Sequence, residues 1–148
     1  MFIRKLNAKE GTSTYRLPTE AEWEFAARAG STGKYCFGDD DDGLGKVAWF
    51  DGNSGDKTHP VAQLRPNAWG LYDVHGNVRE WVQDWYGESY YRSSPAADPK
   101  GPASGSSRVC RGGSWDSGAR GARAAFRTYT GQGGRYEGLG FRLLKSVP

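Results

Sequence analysis

The sequence predicts a single loop-rich domain in which short helices and short strands pack around clusters of aromatic side chains. Its 148 residues are enough for one sizeable core. The chain has 6 Trp, 8 Tyr and 6 Phe beside 22 Gly and 7 Pro, a balance typical of folds held by aromatic clusters. Two stretches, Gly70–Trp81 (GLYDVHGNVREW) and Arg108–Trp115 (RVCRGGSW), place glycine near tryptophan, which indicates tight corners in a core.

The charge balance argues against a nucleic-acid partner, because Lys and Arg number 20 and Asp and Glu 17, a net charge of only +3. Arginines do cluster in residues 108–142, where bridges between loops are favoured over a phosphate-binding face. Residues 1–11 contain charges and no long apolar run. We therefore expect neither a signal peptide nor a membrane span, and the cellular location stays open.

The first third of the chain contains the clearest helix signal. Thr19 and Glu22 form a capping-box pattern, and apolar residues follow at helical spacing, so a helix is predicted over Glu20–Ala29. Before it, the pattern predicts the tail of a helix at residues 2–6 and a brief strand over Thr14–Leu17.

Beyond residue 33 the sequence is dominated by loop signals, and the predicted strands are short. Residues 33–66 are rich in glycine and carry an acidic run at Asp39–Asp42, for which an exposed loop is favoured over a cation site. Compact apolar runs bounded by turn residues predict the remaining strands. They lie at 70–72, 78–82, 108–111, 124–127 and 139–143.

Four motifs, taken in order, resemble the formylglycine-generating enzyme, or sulfatase-modifying factor, family. They are YRLPTEAEWEFAARAG at 15–30, NAWGLYDVHGNVREWVQDW at 67–85, RVCRGGSW at 108–115 and LGFRLL at 139–144. The resemblance covers about residues 2–144. It implies an α+β, C-type-lectin-like fold with small twisted antiparallel sheets, one or two helices and many ordered loops.

The resemblance also implies that residues 1–148 form one domain that is shorter at its N-terminus than other members of the family. A strand that usually lies beside LGFRLL would then be missing, which leaves an open sheet edge. This suggests a homo-oligomer formed through the exposed C-terminal strand. A fragment completed by another chain in an assembly is an alternative.

Copper chemistry is not expected, because the residues that it requires are missing. Members of the family that oxidise cysteine to formylglycine with copper carry two cysteines just after the GGS[WY] motif, whereas residues 116–122 here contain none. Cu(I) needs soft thiolate ligands, so a non-catalytic domain is favoured. A copper-dependent oxidase that uses Cys36 or Cys110 is the alternative, and whether these two cysteines form a bridge stays open.

In relatives, the turn equivalent to Gly76–Glu80 can hold a structural calcium ion. The resemblance would place its ligands at the main-chain carbonyls of Gly76 and Val78 and at the carboxylate of Glu80. A buried partner for an arginine is an equally good interpretation of Glu80. His75 in the same stretch is interpreted as a turn residue rather than a metal ligand.

Residues 116–138 have the composition of a recognition surface. They are rich in Gly, Ser and Tyr, and tyrosine gives a large contact area at a low entropic cost. A tolerant surface loop is the alternative interpretation. The residues predicted to contact a protein or small-molecule ligand are Asp116, Ser117, Phe126, Thr128, Tyr129, Thr130, Tyr136 and Glu137.

The same segment resembles the diversified region of variable proteins encoded by diversity-generating retroelements, which share the C-type-lectin-like fold. Those proteins vary where adenines of asparagine-type codons are mutated. Positions 116, 117, 126 and 128–130 hold Asp, Ser, Phe, Thr and Tyr, residues that this process can produce. The resemblance implies a ligand-binding or display domain that a retroelement diversifies, although glycine-rich drift would leave a similar pattern.

Overall fold

The expected loop-rich α+β architecture is confirmed by a computed structural model, which describes residues 2–147. The helices are α1 (Phe2–Lys9), α2 (Glu20–Arg28) and α3 (Ala119–Ala122). The strands are β1 (Tyr15–Arg16), β2 (Arg79–Trp85), β3 (Ser107–Arg111), β4 (Thr128–Gly131), β5 (Leu139–Gly140) and β6 (Leu144–Lys145). Short 3-10 helices at Asp41–Lys46 and Tyr90–Arg92 interrupt the long loops. Within residues 2–147, no helix combines the length and the hydropathy that crossing a bilayer requires.

Two small sheets organise the strands. β1 pairs with β6, with Tyr15 opposite Lys145, and the larger sheet has the order β4-β3-β2-β5. The pairs β2–β3 and β3–β4 are antiparallel, but β5 runs parallel to β2, so the larger sheet is mixed and not purely antiparallel. The C-terminal stretch LGFRLL, whose sheet edge was expected to be open, is therefore divided between the two sheets. β6 is paired, and β5 forms an outer edge of the larger sheet.

Helix α2 forms where the capping box predicts it. The Thr19 hydroxyl accepts a hydrogen bond from the Glu22 main-chain N–H at 3.2 Å, and the Glu22 carboxylate accepts one from the Thr19 N–H at 2.8 Å. The apolar side of the helix packs on β2 and β3 and forms one of two hydrophobic cores. Its buried members are Trp23, Ala27, Val74, Val82 and Val109.

A second core lies under the loops between α2 and α3. Its buried members are Tyr35, Leu44, Val47, Ala48 and Ala122. The acidic run contributes to the edge of this core, because the Tyr35 hydroxyl donates to the Asp41 carboxylate at 2.9 Å and Asp40 caps the 3-10 helix that follows it. The long loop that follows α2 is therefore ordered by its packing on this core.

Charged side chains are buried beside the first core. Glu20, which is 1% exposed, accepts hydrogen bonds from Arg111 at 2.5 Å and from Arg127 at 2.6 Å. Arg111 is also 1% exposed and makes a further ion pair with Glu24. Removing one partner of a buried pair leaves an uncompensated charge and costs about 3–5 kcal/mol. This network therefore fixes β3 and the approach to β4 against α2.

The strand predicted over residues 70–72 is wrong, because Asn67 holds this segment in a turn. The Asn67 Oδ1 atom accepts hydrogen bonds from the main-chain N–H groups of Trp69 and Leu71, both at 3.0 Å. Gly70 supplies the left-handed conformation, with a φ of 79°. A side chain thus satisfies the backbone donors that a strand would offer to a neighbour.

The strand predicted over residues 124–127 is also wrong, since β4 begins only at Thr128. The Phe126 N–H donates to the Arg123 carbonyl at 2.9 Å and closes a turn before the strand. The predicted strand at 139–143 is confirmed only for Leu139–Gly140. Residues 141–143 then cross from the larger sheet to the smaller one.

Candidate ligand-binding surface

Between β3 and α3 the chain turns sharply at two adjacent glycines. Gly112 and Gly113 have φ values of 96° and 69°, a region that favours glycine. A Cβ atom on Gly112 would lie 2.9 Å from the Trp23 ring and 3.2 Å from the Val74 carbonyl oxygen. The RGGSW motif is therefore a structural corner that passes directly over the first core and leads into residues 114–122.

Hydrogen bonds fasten the residues that follow this corner. The Ser114 N–H donates to the Ser117 hydroxyl at 3.0 Å, and the Ser114 hydroxyl donates to the Asp116 carboxylate. From β2, the Arg79 guanidinium lies 3.0 Å from the Ser117 hydroxyl and 3.3 Å from Asp116 Oδ1. Of these two predicted contact residues, Asp116 is exposed but Ser117 is only 7% exposed. The Ser117 side chain thus supports the turn.

The stretch Gly70–Trp81 forms the frame behind this turn. Asn77 has a φ of 67°, and its side chain binds both the N–H and the carbonyl of His59, at 2.9 and 3.0 Å. The Asn77 carbonyl also accepts a hydrogen bond from the Trp115 N–H at 2.9 Å. Gly76 packs so closely that a Cβ atom would lie 2.1 Å from the Trp49 carbonyl oxygen. The turn therefore joins two loops to the RGGSW motif.

His75 is a buried cross-link within this frame. Its Nε2 atom accepts a hydrogen bond from the Cys36 N–H at 2.9 Å, so Nδ1 carries the proton and donates to the Ala122 carbonyl at 2.8 Å. Burial lowers the pKa of His75 to about 4, which keeps the ring neutral at neutral pH. Both ring nitrogens are therefore used to hold segments of the protein together.

Glu80 is the buried partner of an arginine. Its carboxylate oxygens accept hydrogen bonds from Arg142 at 2.5 and 2.6 Å, and one of them also accepts from Trp23 Nε1 at 2.6 Å. A calcium ion bound by Gly76, Val78 and Glu80 would have to displace this guanidinium, so the donor set does not suit the ion. Within residues 2–147, no group of three His, Cys, Asp or Glu side chains is arranged to hold a metal.

Both cysteines are free in the part of the chain that the structure describes. Cys110 on β3 is 1% exposed, and burial raises the pKa of its thiol to about 12. Burial also raises the pKa of the half-buried Cys36 thiol. Since copper(I) binds the thiolate and not the thiol, neither environment favours copper binding.

The register of the larger sheet places the predicted contact residues on its two faces. Val109, which is buried in the first core, lies opposite Tyr129 on β4. Because side chains alternate along a strand, Thr128 and Thr130 point away from that core. Tyr136 belongs with these two threonines, since its hydroxyl is hydrogen-bonded to the Thr130 hydroxyl.

Tyr129 packs on aromatic residues that the sequence did not single out. The ring centroids of Tyr86 and Tyr129 are 4.1 Å apart. The Arg127 guanidinium lies 5.0 Å from the Tyr86 ring centroid and 4.9 Å from that of Tyr91. We name Tyr86, Tyr91, Arg127 and Tyr129 the tyrosine platform. The signal that could have indicated it was the abundance of tyrosine in residues 86–92 (YGESYYR).

The remaining predicted contact residues lie on either side of β4. Phe126 is half-buried in the turn before the strand, and Glu137 is exposed in the loop after it. Tyr136 is 59% exposed. Of the predicted contacts, Tyr129 belongs to the tyrosine platform on one side of the sheet, and Thr128, Thr130 and Tyr136 form an outer group on the other. The other predicted contacts, Asp116, Ser117, Phe126 and Glu137, belong to neither group.

Solved structures show the same architecture. Treponema denticola variable protein 1 is 44% identical, with a TM-score of 0.78, over 87% of this chain and 46% of that protein. PvdO from Pseudomonas aeruginosa is 31% identical, with a TM-score of 0.86, over 99% of this chain and 57% of that protein. These likenesses confirm the C-type-lectin-like fold that the motifs imply.

Sequence comparison gives the same result. The formylglycine-generating enzyme of Streptomyces coelicolor is 42% identical over 142 residues, which cover 86% of this chain and 45% of that enzyme. The chain thus spans less than half the length of this curated relative. The profile of the sulfatase-modifying factor enzyme 1-like domain matches residues 2–147. The chain therefore belongs to the formylglycine-generating enzyme, or sulfatase-modifying factor, family.

Proposed function

We propose that this domain is non-catalytic and binds a protein or small-molecule ligand through the exposed side chains around β4. The observation that carries the proposal is that Tyr129 and Tyr136 are 55% and 59% exposed, yet each is held by a neighbouring side chain. Aromatic side chains that are already ordered lose little conformational entropy when a ligand binds.

The contacts that hold Arg127 in the tyrosine platform favour the same function. Arg127 lies against two tyrosine rings and makes an ion pair with the buried Glu20. Glu20 in turn belongs to the first turn of α2. The platform is therefore connected to the most regular element of the fold, which is how binding residues are held in a fixed geometry.

A binding selection tests the proposal. Peptides selected from a random displayed library against the immobilised domain should bind at least tenfold more weakly to the Tyr129→Ala/Tyr136→Ala variant. Tyr72→Ala is the matched control, because Tyr72 is 39% exposed and lies outside both groups. Binding that both variants retain equally would refute the proposed surface.

The alternative function is a copper-dependent oxidation of a peptide cysteine to formylglycine. It is favoured by the name of the Streptomyces relative, but it requires a thiolate site that residues 116–122 do not supply. A Cu(I) titration decides between the two functions. Tight stoichiometric binding that Cys110→Ser abolishes, together with oxidation of a cysteine peptide, would establish the enzyme.

A more specific version of the binding proposal is that a retroelement diversifies this domain. It is supported by the composition of residues 116–138 and by the likeness to a protein named as variable. A reverse-transcriptase gene and a near-repeat of the 3′ end in the neighbouring DNA are the expected observations. A gene neighbourhood with a sulfatase and no reverse transcriptase would favour the oxidase instead.

A further inference from the structure

A second candidate binding site lies between the two sheets, beside the outer group, because its residue Arg108 is the register partner of Thr130. It is a cleft of about 890 Å³, within the range of about 300–1,000 Å³ that is typical of ligand pockets. α1 and β1 form one wall, and β2, β3 and the tip after β4 form the other. The lining residues are Ile3, Arg4, Tyr15, Arg16, Leu17, Trp81, Val82, Gln83, Arg108 and Gln132.

The lining of this cleft is cationic. It contains three arginines and no carboxylate. Arg16 is neutralised by its ion pair with Glu22 at 2.6 Å. Arg4 on α1 is exposed, and Arg108 has no acidic partner among residues 2–147. Two positive charges, one on each wall, are therefore uncompensated.

Arg108 is also held in position. Its guanidinium lies 3.6 Å from the Trp85 ring centroid and donates to the main-chain carbonyl of Gln83. An ordered guanidinium loses little entropy when it pairs with a carboxylate. Next to it, Trp81 and Tyr15 offer apolar area, and the amides of Gln83 and Gln132 can pair with a peptide backbone.

We propose that this cleft binds an extended acidic peptide segment of a partner protein. Carboxylates of the segment would pair with Arg4 and Arg108, and an apolar side chain would lie on Trp81. The cleft shares no lining residue with the predicted contact set around β4, so this inference does not depend on the function proposed above.

Fluorescence anisotropy with a labelled peptide of alternating Glu and Leu tests the proposal. The full chain should bind this peptide, and a matched peptide of alternating Lys and Leu should bind at least tenfold more weakly. Arg4→Ala and Arg108→Gln should each reduce affinity severalfold, and the effect should shrink as salt rises. Arg4 is exposed, so its variant reports on binding even if Arg108→Gln weakens the fold.

Two control variants locate the binding site. Arg120→Ala removes an exposed arginine outside the cleft, and Tyr72→Ala removes an exposed aromatic side chain outside the cleft, so both should bind the acidic peptide normally. Equal losses in Arg120→Ala would overturn the proposal, because they would indicate non-specific charge attraction. Tighter binding of a single-stranded RNA, or competition by inorganic phosphate alone at similar concentration, would overturn it in favour of a polyanion or small-anion site.

Discussion

Two buried titratable side chains give the folded state opposite responses to pH. Asp84 is 1% exposed and accepts a hydrogen bond from the Glu20 N–H at 2.7 Å, while its Oδ1 atom has no partner among residues 2–147. Burial raises the pKa of Asp84 from 3.8 to about 6. A raised carboxyl pKa means that the folded state gains stability as pH falls through 6. His75 has a lowered pKa, so its contribution makes the folded state lose stability as pH falls.

Asp84→Asn should stabilise the protein, and more so at high pH. The asparagine side chain keeps an oxygen for the Glu20 N–H and removes the buried charge. The gain in unfolding free energy near pH 8 should exceed the gain near pH 5 by about 1 kcal/mol. Urea denaturation at the two pH values measures it, and an equal gain at both would contradict the assigned pKa.

Replacing His75 with glutamine should change the pH dependence of stability in the direction opposite to that of Asp84→Asn. The neutral ring accepts from Cys36 and donates to Ala122, so protonation breaks the first bond. Between pH 7 and 5 this group alone should cost the wild type about 2 kcal/mol of stability, which the variant does not lose. Urea denaturation across this pH range measures the difference, and a His75→Gln variant with the wild-type slope would contradict the lowered pKa of His75.

Among the elements, those whose signals are local were predicted well. α2 has its capping box within four residues, and β3 is a compact run next to glycines, so both appear within a residue or two of their predicted bounds. The segment 70–72 was missed because its conformation depends on a side chain. Asn67 Nδ2 also donates to the Ala26 and Ala27 carbonyls at 2.8 and 3.1 Å, which ties the turn to the end of α2.

Asn67→Ala should therefore destabilise both the turn and the helix end. The substitution leaves two N–H groups and two carbonyls without their partner, at an expected cost of about 3 kcal/mol. Asn67→Asp keeps the acceptor for the turn but places a negative charge at the C-terminus of α2, so it should cost less than alanine but remain unfavourable. Thermal unfolding compares them, and a near-neutral Asn67→Ala would contradict this role.

For the whole molecule, family motifs predicted the fold, whereas the arrangement of the candidate site required coordinates. Thr128, Tyr129 and Thr130 were expected in the polar stretch after a strand at 124–127, whereas they form β4. The division of the contact residues between two faces follows from the pairing of β4 with β3. A one-residue difference in register would exchange the faces. The tyrosine platform joins residues 86 and 129, and no local pattern connects positions so far apart.

The contacts of Glu80 predict that calcium does not contribute to stability. Its carboxylate is already paired with Arg142 and Trp23, so the melting temperature should be the same in millimolar calcium and in a chelator. Glu80→Gln should lower it equally in both, because it leaves the half-buried Arg142 guanidinium without a counter-charge. A calcium-dependent rise in melting temperature that Glu80→Gln abolishes would instead support the structural ion.

The pairing of β1 with β6 affects the rate at which the domain folds. Arg16 and Leu144 are register partners, although they stand at opposite ends of the described chain. Closing so long a loop is entropically expensive, and proteins rich in such non-local pairs fold in milliseconds to seconds. During synthesis, β1 emerges early and has no partner until β6 follows. The smaller sheet can therefore form only after synthesis has passed residue 145.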